Sequence, residues 1–247
     1  MNVLEAEGLR KSFGGVAAVD GVSFTVAAGE MLALIGPNGA GKSTCFDLVG
    51  GQQRADAGRV RLAGRDITAL SARARVRAGL GRTFQIAAPF ASMTACENVQ
   101  LALHAHAGRI WRLWRPAAAG FRAPALELLA AVEMSGLADR PAGALAYGDL
   151  KRLDLALALA GAPAVLLMDE PTAGVAPDAR PALMALVRRL AARRGLAVLF
   201  TEHDMEVVFG VADRVLVLQR GTLIAAGAPA EIRAAPAVQA AYLGVAP

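Results

Sequence analysis

Gly36-Pro37-Asn38-Gly39-Ala40-Gly41-Lys42-Ser43-Thr44 follows the apolar run Met31-Leu32-Ala33-Leu34-Ile35 and precedes Cys45, Phe46, Leu48 and Val49 at helical spacing. The run reads as a buried strand and the segment beyond as a helix. A G-x-x-x-x-G-K-S loop therefore joins a strand to a helix N-terminus, which is the context this motif needs. Gly36, Gly39 and Gly41 allow a backbone whose successive N–H groups point inward at a phosphate. The helix start adds its positive dipole end. Lys42 is placed to reach the β- and γ-phosphates, and the Ser43 hydroxyl to ligate Mg²⁺. The stretch predicts nucleoside triphosphate binding.

The rest of the composition sets limits. A chain of 247 residues, 55% of them hydrophobic, can form one large α/β domain or a domain with an inserted lobe. The net charge of +5 comes mostly from scattered arginines, which reads as a solvated basic surface and not as a nucleic-acid site. Cys45 and Cys96 lie far apart without metal-ligand spacing, which points to a reducing compartment, and Cys45 reads as a packed helix residue. The uncharged run Leu155–Met168 is too short to span a bilayer and is broken by Gly161 and Pro163. Met1-Asn2-Val3-Leu4-Glu5 shows no basic-then-apolar signal pattern, so the expected compartment is the cytoplasm.

Strands are expected at Val3–Leu9, Val16–Val19, Val22–Val26, Gly58–Leu62 and Gly81–Gln85, with turns at Gly14-Gly15, Ala28-Gly29 and Gly64-Arg65-Asp66. Residues Ala95 to Ala160 turn helical, through Val99, Leu101, Leu103, Leu126, Leu128, Leu129 and Val132. Strands return at Ala164–Met168, Leu196–Thr201 and Arg214–Gln219, with a helix at Ala179–Arg194. Alternating strands and helices predict a mainly parallel sheet covered by helices, with a helical lobe (about 88–160) inserted into it.

Ala164–Met168 ends in Asp169-Glu170, and ligand chemistry in an open α/β sheet sits at the carboxyl ends of strands. Asp169 is placed to hold the Mg²⁺ shell, and Glu170 to orient and deprotonate the attacking water. Ala197–Thr201 ends in Glu202-His203-Asp204, so His203 emerges at the same edge. That position favours a polarising contact from His203 to the γ-phosphate or the water.

With Leu145-Ala146-Tyr147-Gly148-Asp149 standing ahead of Leu166-Leu167-Met168-Asp169-Glu170-Pro171-Thr172, the chain resembles the ATP-binding cassette (ABC) transport ATPases along essentially its whole length. The resemblance implies a phosphate-loop core with an N-terminal antiparallel β-subdomain and an inserted helical subdomain, binding ATP and Mg²⁺. It implies that Leu145–Asp149 cap the γ-phosphate bound by an opposite ATPase, and that Phe13 stacks on adenine. It also implies that Gln85, in Arg82-Thr83-Phe84-Gln85, senses Mg²⁺ and water and links to the membrane domains, and that Gly174–Asp178 cross the dimer interface.

Within the family the chain is similar to the larger ATPase of branched-chain and hydrophobic amino-acid importers. The likeness rests on Arg82–Gln85, Leu145–Gly148, Glu202-His203-Asp204-Met205 and the ending Pro236 to Gly244. It implies two transmembrane permease subunits, a second ABC ATPase, a periplasmic or extracellular solute-binding protein, and a place on the cytoplasmic face of the inner membrane. No nucleic-acid partner is expected. Three departures stand out: Ala146 for the usual serine, Asp149 for glutamine, and Ala176 for a polar interface residue. A soluble cassette ATPase acting on DNA or ribosomes is the rival reading, but such proteins carry a long coiled coil or paired cassettes. A phosphotransferase would need an acceptor site, and none is visible. Arg109-Ile110-Trp111-Arg112-Leu113-Trp114-Arg115 reads as an exposed tip of the helical lobe in preference to a lipid-contacting segment.

Overall fold

In the computed structural model of the chain, residues 2–83, 89–108, 120–236 and 238–239 are described. The chain opens with β1 (Asn2–Phe13) and β2 (Val16–Ala27), then β3 (Met31–Ile35), α1 (Lys42–Gly50), β4 (Ala57–Leu62), β5 (Arg65–Asp66), α2 (Ala72–Arg77) and β6 (Leu80–Thr83). Helices α3 (Ala95–His106), α4 (Arg122–Ala131) and α5 (Tyr147–Leu159) follow. Then come β7 (Val165–Asp169), α6 (Arg180–Arg194), β8 (Ala197–Thr201), α7 (Met205–Val211), β9 (Arg214–Gln219), β10 (Thr222–Gly227) and α8 (Pro229–Ala234).

Every residue of β3 is buried, because the strand is covered on both faces. Met31, Ala33 and Ile35 join Leu166, Met168, Val198 and Phe200 in a core shared with α3 to α6. Leu32 and Leu34 face the other way, into a core with Cys45, Phe46, Leu48 and the antiparallel strands. Helix α1 is thus wedged between two sheets. One is a 4-stranded antiparallel sheet in the order β2-β1-β4-β5, and the other is a 6-stranded sheet in the order β10-β9-β3-β8-β7-β6. Neighbours in the larger sheet run parallel except the β10–β9 hairpin.

The expected short N-terminal strands are longer than the alternation indicates. β1 runs on to Phe13, and β2 is continuous from Val16 to Ala27 through Gly21. Register shifts near Ala6/Leu9 and Leu9/Arg10 disturb the period of two without ending the pairing, as bulges do. Arg65-Asp66, expected as a turn, pairs with Leu62 and Arg61 as β5. β6 ends at Thr83, and Phe84 and Gln85 lie outside the described residues. The short elements α2, α7, β10 and α8 were not expected. β10 is half-exposed and alanine-rich, so neither face announces itself.

In the middle of the chain, α3 starts with a capping box. Thr94 Oγ1 accepts from Glu97 N–H (3.1 Å), and Glu97 Oε2 accepts from Thr94 N–H (2.8 Å). Buried Asn98 then pins the preceding loop, accepting from Phe90 N–H at 2.8 Å and donating to the Thr94 carbonyl at 2.9 Å. Leu126, expected on the apolar face of its helix, is 36% exposed.

The C-terminus of α1 ends on a buried guanidinium. Arg75, 2% exposed, donates to the carbonyls of Leu48 (2.7 Å), Val49 (2.6 Å) and Thr68 (2.8 Å). The cation also complements the helix dipole. Arg75→Ala is expected to cost about 3 kcal/mol, because buried carbonyls left without a donor each cost about 1–3 kcal/mol. Thermal denaturation would then show a melting temperature lower by about 6–12 °C, and a shift under about 2 °C would contradict the capping role.

Candidate nucleotide site

The phosphate loop is shaped by close backbone approach. A Cβ at Gly36 would stand 2.3 Å from the Leu218 carbonyl oxygen, and one at Gly41 2.2 Å from the Ala18 carbonyl oxygen, so only glycine fits either place. Gly39 has space around it, but its φ of 78° is left-handed. The loop is tied to its neighbours through Gly221, whose N–H donates to Ala40 O (2.9 Å) and whose carbonyl accepts from Asp20 N–H (2.8 Å). The first hydrogen bond of α1 runs from Cys45 N–H to Gly41 O, so the amides of Lys42, Ser43 and Thr44 precede the helical ladder. Ser43 is exposed in that first turn.

Lys42 is 8% exposed and folds over the loop, its Nζ donating to the carbonyls of Gly36 (2.6 Å) and Pro37 (3.1 Å). Burial pushes its ammonium below the ordinary lysine range, while Glu170 and Asp169 pull it back up. Both carboxylates act on the loop lysine from the end of β7, two strands over from β3. Pro37, Asn38 and Thr44 complete the loop. Burial pushes the Cys45 thiol up to about 12, so it is a packed core residue.

The parallel register explains the convergence. Leu34 of β3 lies opposite Thr201 of β8, which lies opposite Asp169 of β7. Thr201 is 1% exposed and serves two neighbours: its Oγ1 donates to Asp169 Oδ1 (2.7 Å) and accepts the Glu170 N–H (3.1 Å). Glu170 sits at φ 47°, a left-handed conformation costing a non-glycine residue roughly 1–3 kcal/mol. Its Oε1 lies 2.6 Å from His203 Nε2. His203, expected at this strand edge, thus stands directly beside the Glu170 carboxylate.

Further bonds lace the loop after β7 to the loop after β8. Buried Glu202 accepts from Thr172 N–H (2.8 Å), Thr172 Oγ1 (2.5 Å) and His203 N–H (3.1 Å). Arg180 Nε donates to Val175 O, and its Nη1 lies 3.0 Å from Asp204 Oδ2. Arg82 pairs with Asp47 of α1 at 3.1 Å and reaches to 3.9 Å from Asp169. The sequence reading missed Thr201, Thr172, Glu202, Arg180 and the Arg82–Asp47 pair as site supports. Polar Thr201-Glu202 directly after the apolar Ala197–Phe200 was the available signal.

The remaining expected residues are spread around this centre. Phe13 ends β1 48% exposed, with Lys11 Nζ 5.5 Å from its ring centroid. Leu145 is buried in the core, Ala146 is the N-cap residue of α5 without a side-chain cap, and Gly148 and Asp149 lie in the first turn. Gln85 and Arg109–Arg115 lie outside the described residues, as does most of the ending Pro236 to Gly244.

A glycine-shaped phosphate loop after β3, two carboxylates at the end of β7 and a histidine beyond β8, with helices set between β6 and β7, define a P-loop ATP-binding cassette. A family model described as ABC transporter matches residues 19–173, and one described as branched-chain amino acid ATP-binding cassette transporter matches residues 222–247. The high-affinity branched-chain amino acid transport ATP-binding protein BraF of Pseudomonas aeruginosa is 38% identical over 249 residues, 98% of each chain. The sulfate/thiosulfate import ATP-binding protein CysA of Bordetella parapertussis is 39% identical, over 97% of this chain and 66% of its own. A solved ADP conformation of an ATP-binding cassette of an ABC transporter superposes with a TM-score of 0.88 at 33% identity, covering 99% of this chain and 100% of that one. The chain belongs to the ABC transporter ATP-binding family: it is an ATP-hydrolysing cassette that energises an ABC transporter. Such subunits of importers work with transmembrane permease components. Among the described residues no helix is long and apolar enough to cross a membrane.

Proposed function

We propose that this chain powers an importer for branched-chain or other hydrophobic amino acids, held at the cytoplasmic face of the inner membrane by two permease subunits. The observation that carries the substrate class is the match of residues 222–247 to the branched-chain amino acid cassette model. BraF supports it over nearly the whole of both chains, whereas the sulfate relative, of similar identity, is matched over only part of its length.

In this reading, the triphosphate of ATP seats on the backbone amides from Gly39 to Thr44, and adenine stacks on Phe13. Lys42 exchanges the Gly36 and Pro37 carbonyls for β- and γ-phosphate oxygens. Two carboxylates beside a triphosphate call for a further cation, and Ser43, Asp169 and Gln85 are oxygen donors of the hard kind that suits Mg²⁺. When bound, Mg²⁺ neutralises charge on the phosphates. Glu170 takes the proton of the attacking water, and His203 holds that carboxylate in place. Leu145, Ala146, Tyr147, Gly148 and Asp149, on a helical subdomain of about residues 88–160, cap the ATP of a second ABC ATPase, identical or paralogous. A solute-binding protein supplies the cargo from outside.

The test is copurification with the permeases, followed by ATPase assay. Leucine-loaded binding protein should stimulate hydrolysis several-fold. No association with the permeases, or equal stimulation by a sulfate-loaded binding protein, would overturn the assignment.

A further inference from the structure

Side chains from the first turns of α5 close over the loop that carries Glu170. A Cβ placed at Gly174 would lie 2.7 Å from Cε1 and 3.1 Å from Oη of Tyr147, so the phenol ring packs directly on the Gly174 main chain. Gly174 itself sits at φ 76°. One helical turn on, Lys151 is only 5% exposed and holds Nζ 5.6 Å from the centre of the same ring, within cation–π range. Lys151 also lines a small gap between α5 and the end of β7, together with Asp154, Met168 and Pro171. Burial pushes its ammonium below the ordinary lysine range, and Asp154, Glu202 and Glu170 pull it back. The carboxylates balancing this buried cation come from α5 itself and from both laced strand-end loops.

We propose that Tyr147, besides its place in the Leu145–Asp149 segment, and Lys151 act on the Glu170-bearing loop as positioning residues, forming a clamp that fastens it to the start of α5. The groups this chain offers to its own ATP and the segment it offers across the dimer are then held as one body. The inference rests on the roles proposed above for Glu170 and for Leu145–Asp149. A left-handed conformation such as that of Glu170 persists only where its surroundings over-determine it. Thr201 and Glu202 fix the loop from the β8 side, and the clamp fixes it from the α5 side. Loosening the clamp therefore disturbs the placement of the carboxylate more than the binding of ATP.

The experiment uses the complex assembled with permeases and second ATPase. Tyr147→Ala and Lys151→Met should each lower kcat on the order of tenfold while the KM for ATP moves by less than about twofold. Tyr147→Phe, which keeps the ring, should recover most of the loss. Gly174→Ala drives a methyl into the ring and should lose activity as well. In the double variant Tyr147→Ala/Gly174→Ala the clash is gone, so turnover should exceed the product of the single losses by about threefold or more. Single losses that simply multiply, or Tyr147→Ala with wild-type kcat, would overturn the clamp. Glu170→Gln run alongside separates the failures. Retained turnover in that variant sinks the base assignment and the clamp with it, whereas an inactive Glu170→Gln beside a fully active Tyr147→Ala sinks the clamp alone.

Discussion

Glu170→Gln is expected to bind MgATP with near wild-type affinity and to lose hydrolysis by roughly 10²–10⁴-fold, the range of general-base contributions. The amide keeps the shape of the carboxylate and can still contact His203 Nε2, which lies 2.6 Å from Glu170 Oε1. What it loses is the ability to accept a proton from water. The backbone position is set independently of that side chain, by the Glu170 N–H to Thr201 Oγ1 bond. The substitution therefore tests chemistry and leaves the fold in place. With the chemical step blocked and both ATP molecules retained, the variant should accumulate as an ATP-bound dimer visible by gel filtration. Single-turnover hydrolysis at near-normal rate would remove Glu170 from the role of base.

Lys42→Ala is expected to weaken ATP binding by roughly 10–150-fold, since a hydrogen bond to a charged group contributes about 1.5–3 kcal/mol. The glycine-shaped backbone survives the change, because Gly36 and Gly41 are held by their approach to Leu218 and Ala18 and not by the lysine. In the free protein the side chain bridges the carbonyls of Gly36 and Pro37. The loss of affinity should appear in calorimetric ATP titration. Unchanged affinity would contradict the phosphate-binding assignment of the loop.

How much of this was legible from the chain depends on whether the signal was local. β3, the phosphate loop and the start of α1 were readable, since an apolar run, a glycine spacing and a helical period follow one another without interruption. Asp169, Glu170 and His203 were readable as polar groups at the ends of apolar strands. Their mutual arrangement was not, because it depends on β8 lying between β3 and β7, a neighbourhood that no local pattern encodes. For the same reason the double role of Thr201 and the Thr172–Glu202 bond appeared only with the sheet order. The left-handed backbone of Glu170 goes against the preference of its residue type and is imposed by its surroundings. β10 escaped notice because half-exposed alanines carry little strand signal, and β1 was cut short because bulges interrupt its alternation.

The central claim is that hydrolysis at this site drives solute entry. Its most direct test is uptake of labelled leucine into vesicles containing the permeases, the second ATPase and this chain, with ATP inside and leucine-loaded binding protein outside. Accumulation that requires internal ATP and is abolished when Glu170→Gln replaces the wild-type chain is the expected result. Leucine accumulation that proceeds unchanged with Glu170→Gln, or without ATP, would contradict the account.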